Sequence, residues 1–91
     1  MGREIVLFKS EEKKSRGEAA AFLRELADKL EAGRIALRQA GEETVLEPSE
    51  MLELEVKAEE ETKSKGVQLS LEVELVWYPG AQDKPGGVRL G

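Results

Sequence analysis

From Leu52 to Trp77, apolar and polar positions alternate with a period of two, broken once between Thr62 and Gly66. Leu52, Leu54, Val56 and Ala58 alternate with Glu53, Glu55, Lys57 and Glu59. Beyond the break, Val67, Leu69, Leu71, Val73, Leu75 and Trp77 alternate with Gln68, Ser70, Glu72, Glu74 and Val76. Successive side chains of a strand point to opposite faces, so this pattern predicts two antiparallel strands joined by a short turn, each with one apolar and one wet face.

Upstream the period changes. Ala19, Phe22, Leu23, Leu26, Ala27 and Leu30 recur at spacings of three and four, which places them on one stripe of a helix, with Arg24, Glu25, Asp28, Lys29 and Glu31 on the solvent side. Ser15 followed by Glu18 is a capping-box pattern that starts this helix, and Gly33 ends it as a left-handed cap. Before the helix, Ile5 to Phe8 is a continuous apolar run that reads as a first strand near the sheet centre. After it, Ile35 and Leu37 begin a second strand, Gly41 marks a turn, and Thr44 to Leu46 form a third strand that Pro48 stops. The order is therefore β-α-β-β-β-β. The predicted fold is α+β: a single helix packed on one face of a roughly five-stranded antiparallel sheet, its stripe covering the face that carries Leu54, Val56, Leu71, Val73 and Leu75. Residues 1–78 form the expected domain. Pro79 to Gly91 holds four glycines and two prolines in thirteen residues and reads as a disordered tail.

Ninety-one residues suffice for one domain with a modest core and leave little for a deep catalytic cleft. The chain has no Cys, His or Asn. That inventory excludes disulfides, thiol chemistry, zinc sites built on Cys or His, and Asn-linked glycosylation. Together with the absence of a signal-like or bilayer-length apolar run, it points to a cytoplasmic protein with no membrane partner. The net charge of -5 disfavours nucleic acid as a partner. Charge is uneven along the chain: residues 42–61 hold nine glutamates against Lys57, while Lys9, Lys13, Lys14 and Arg16 cluster before the helix.

The stretch FKSEEKKSRGEAAAFLRELADKLEAG, followed by alternating strands and a closing SLEVELVW, resembles the amphi-Trp domain family. These are small bacterial and archaeal proteins with a charged serine-arginine helix start, an LRELADKLE-type helix and an amphipathic last strand ending in tryptophan. The resemblance covers residues 4–77 and brings no catalytic or ligand-binding residue to this chain.

The residues themselves offer few candidates for chemistry. Ser10 and Lys13 match a bare S-x-x-K nucleophile pattern, but its companion motifs are missing and no histidine is present to serve as base. Lys9, Lys13, Lys14 and Arg16 could meet a phosphate at the helix start, though four aromatics and a negative net charge do not make a nucleic-acid module. No catalytic, cofactor-binding or metal-ligating residue is assigned, and the expectation is a protein that is not an enzyme. The remaining candidate is an interaction surface formed by Glu53, Glu55, Glu72, Glu74, Trp77 and Tyr78. A register pairing Leu54 with Val73 would set Glu55 opposite Glu72 and Glu53 opposite Glu74, which makes either a solvated face or an acidic landing surface for a protein or peptide with a basic surface. By parity Trp77 is on the apolar side, as a core residue or, beside Tyr78, as a partly exposed anchor. Free strand edges also allow a homodimer by strand addition. The alternative is a divalent-cation-binding protein, or a small enzyme or enzyme subunit working through carboxylates, since oxygen ligands suit calcium and magnesium.

Overall fold

Helix α1 begins where Ser15 and Glu18 cap each other. The Glu18 backbone N–H donates to Ser15 Oγ at 3.0 Å and the Ser15 backbone N–H donates to Glu18 Oε1 at 3.0 Å, so two otherwise unpaired donors of the first turn are satisfied. The helix runs Arg16–Ala32 and stops at Gly33, whose φ of 87° is cheap only without a Cβ. The Gly33 N–H reaches Leu30 O at 3.0 Å and the Arg34 N–H reaches Lys29 O at 3.2 Å, the paired bonds of a Schellman ending. The computed structural model describes residues 2–80, and its chain divides after Pro48 into two units.

In the first unit, strands β1 (Ile35–Gln39) and β2 (Glu42–Leu46) form an antiparallel hairpin with Ile35 opposite Leu46 and Gln39 opposite Glu42. Its two-residue turn, Ala40-Gly41, has positive φ at both positions, 50° and 84°, which matches the right-handed twist of the flanking strands. Helix α1 touches β1, and this is where the small core sits: Ile35 is buried at 7% exposure, with Leu26, Leu30, Leu37, Thr44 and Leu46 half-buried. Across the opposite face Arg38 Nε donates to Glu43 Oε2 in an ion pair.

The second unit is the long hairpin of β3 (Glu53–Lys63) and β4 (Gly66–Val76). Its register pairs Leu54 with Leu75, Val56 with Val73 and Ala58 with Leu71, closing at Lys63 opposite Gly66. Ser64 and Lys65 make the turn, and Gly66 takes a φ of 126° immediately after it. One face carries Leu54, Val56, Ala58, Leu69, Leu71, Val73 and Leu75, with Glu60 near the turn; the other carries Glu53, Glu55, Glu59, Glu61, Glu72 and Glu74. Alternation thus fixed the sidedness correctly, because a pleated strand has only two faces to offer.

Two sequence expectations are corrected. Ile5 to Phe8 is not a strand, so the order is α-β-β-β-β. Ile5, Val6 and Leu7 are 66 to 75% exposed, and the segment is tied by a side-chain bond, Thr44 Oγ1 donating to Leu7 O at 3.1 Å, in place of a backbone ladder. A four-residue run without a hairpin turn to a neighbour lacks the local signal that pairs strands. Nor do the strands form one five-stranded sheet. They make two sheets of two strands each, β1–β2 and β3–β4, because each tight turn dictates pairing within its own hairpin. On the long hairpin Leu54, Val56, Leu71 and Val73 are 60 to 70% exposed. The α+β class and the antiparallel pairing stand. Pro79 and Gly80 form a turn, and the remainder of the expected tail, 81–91, lies outside the described residues.

Candidate functional site

The wet face of the β3–β4 hairpin brings four glutamates of the sequence-based surface together. The register differs from expectation by two residues, so Glu55 stands opposite Glu74, Lys57 opposite Glu72, and Glu53 opposite Val76. A slip of two preserves the face of every side chain while changing its cross-strand neighbour, which is why alternation alone could not choose between the registers. The expected pair of like-charge contacts, Glu55 with Glu72 and Glu53 with Glu74, becomes one, Glu55 with Glu74, and Lys57 is drawn into the surface beside Glu72. Glu55, Lys57, Glu72 and Glu74 line a shallow, open depression with Val73.

Two carboxylates set opposite each other cannot both ionise freely. A side-chain hydrogen bond with Glu55 holds the Glu74 carboxyl above its ordinary value, with repulsion from Glu55, desolvation and the charges of Glu72 and Glu53 acting the same way. The contrast is Glu43 on the short hairpin, held below the ordinary value by its hydrogen bond from Arg38 and by that guanidinium's charge. The face therefore concentrates negative potential around Glu74, with Lys57 as its nearest cross-strand counterweight.

Trp77 and Tyr78 lie just beyond β4 at the open end of the same hairpin. Trp77 is half-buried and Tyr78 is 68% exposed, and both line a recess with Met51, Leu52, Glu53 and Val76. Glu53 belongs to this aromatic recess as well as to the acidic face, which joins the two into one surface.

Among the described residues no three acidic side chains converge to hold a metal ion, and no helix is long and apolar enough to cross a membrane. Ser10 makes no hydrogen bond to Lys13, and of the basic cluster Lys14 pairs with Glu12 at 3.8 Å in an exposed bridge. Sequence reasoning missed a recess in the first unit lined by Phe8, Phe22, Ala36, Leu37 and Arg38. Only the helical stripe signalled it, through Phe22.

The sequence matches the model of the Amphi-Trp domain family across residues 1–91. No curated protein and no solved structure matches the chain.

Proposed function

The chain belongs to the Amphi-Trp domain family, and we propose that it is a small non-catalytic binding or adaptor domain whose partner, a protein or peptide with a basic surface, docks on the acidic face of the β3–β4 hairpin. The observation that carries this reading is the apposition of Glu55 and Glu74, flanked by Glu53 and Glu72. Like charges directly opposite one another weaken a sheet, so a partner bearing Lys or Arg would gain attraction and also relieve the repulsion within the hairpin. Half-buried Trp77 and exposed Tyr78 at the open end supply the rigid amphipathic area on which a contact can anchor. The free edges of a two-stranded ribbon add backbone donors and acceptors for an extended peptide.

The test is affinity capture from a lysate of the source organism, with the native chain compared with one in which Glu53, Glu55, Glu72 and Glu74 are replaced by lysine, followed by titration of the captured partner. A saturable, salt-sensitive partner lost on charge reversal, with the variant's circular dichroism unchanged, supports the reading. Equal binding by both forms moves the site off this face. A partner lost only in Trp77→Ala and Tyr78→Ala would instead place the contact at the aromatic end.

A further inference from the structure

The opposite face of the same hairpin carries a separate inference. Leu54, Val56, Val67, Leu69, Leu71 and Val73 are each 60 to 75% exposed and share one face of the ribbon with Ala58 and Leu75. A lone two-stranded hairpin is marginally stable in water, and a face this apolar ordinarily meets another layer. We propose that the layer is a second copy of the chain: the two β3–β4 hairpins pack apolar face to apolar face as a two-fold dimer.

Two observations favour this occupant. The first is area. At the exposures above, the six large residues present roughly 700 Å² per copy, so a face-to-face pair buries at most roughly 1,400 Å² in total, an upper bound that reaches the range of a stable specific interface. The second is charge. The face bears a single charged residue, Glu60, toward the turn end. In a two-stranded ribbon every position neighbours a free edge, so that carboxylate stays in water, while the acidic faces of the two copies point outward, a sheet spacing of about 10 Å apart or more.

The proposal does not rest on the acidic-face reading, which this dimer leaves accessible on both outer surfaces. Sedimentation equilibrium of the full chain is the first experiment. A dimer at ~100 µM is expected, and a strict monomer at that concentration overturns the proposal, whether the face is then covered by the chain's own helix or by nothing. The double variant Leu71→Lys, Val73→Lys is expected to dimerise at least ~100-fold more weakly. A dimer that survives it unchanged lies on another surface, such as a strand edge, and the proposal fails. Because the chain is free of cysteine, single cysteines give a readout independent of the lysine variant's folding. Ala58→Cys on the apolar face should crosslink between copies through a short bis-maleimide, which spans a sheet spacing of about 10 Å, much faster than Glu59→Cys on the wet face, and equal rates count against the proposal.

Discussion

At the residue scale, the backbone asks more of Ala40 than of its neighbours. It holds a φ of 50° in the Ala40-Gly41 turn, a conformation in which its Cβ crowds the following carbonyl, at a cost of about 1 kcal/mol. Ala40→Asn creates the Asn-Gly pair that this turn type prefers and is expected to stabilise the β1–β2 hairpin by roughly 0.5–1 kcal/mol, read from urea denaturation. Glu74 gives a prediction of opposite character. Its folded pKa lies above the ordinary value because of Glu55, so between the unfolded and folded values the folded chain binds more protons than the unfolded one. Stability from this residue therefore falls as pH rises through that window and returns on acidification. Glu74→Gln should stabilise the hairpin at neutral pH and remove that slope, while Arg38→Gln should remove the reverse slope of Glu43, whose pKa is depressed and whose contribution is lost as pH falls. Thermal melts of the three proteins from pH 3 to 7 decide both. Neither carboxylate was singled out by composition: Glu43 is one of nine glutamates in residues 42–61, and its distinction comes only from standing opposite Arg38.

At the element scale, the local signals were legible because they act over a few residues. Ser15 and Glu18 fixed the helix start, Gly33 its end, and alternation gave the strands and their faces. Ser15→Ala removes the acceptor for the Glu18 N–H and should cost about 1 kcal/mol, visible as loss of helical circular dichroism at elevated temperature. Gly33→Ala should cost a similar amount, about 1 kcal/mol, through strain at positive φ even though the space around its Cβ is open. Ile5 to Phe8 failed as a strand for the complementary reason. Its apolar run is a statement about burial, whereas a strand exists only with a partner ladder, and the segment bonds Thr44 through one carbonyl. The two-residue register shift in β3–β4 has the same origin: the turn was placed too broadly, over Thr62 to Gly66, when Ser64 and Lys65 alone make it.

At the scale of the whole molecule, the large apolar area left on the long hairpin and the acidic face behind it are the chain's two unusual features. With no three acids converging among the described residues, thermal melts with and without millimolar calcium, magnesium or manganese should superimpose. A rise in melting temperature in one metal would instead support the cation-binding alternative. The sequence by itself determined the α+β class, the helix and its caps, and which side chains share each strand face, because capping, turns and period-two alternation are encoded by neighbours in the chain. The tertiary structure decided how strands are shared between sheets, that Glu55 meets Glu74 and Lys57 meets Glu72, and how much of the apolar face stays in water. Those depend on register and on packing between segments far apart in sequence, where shifts of two residues or a different strand partner leave the hydrophobic pattern unchanged.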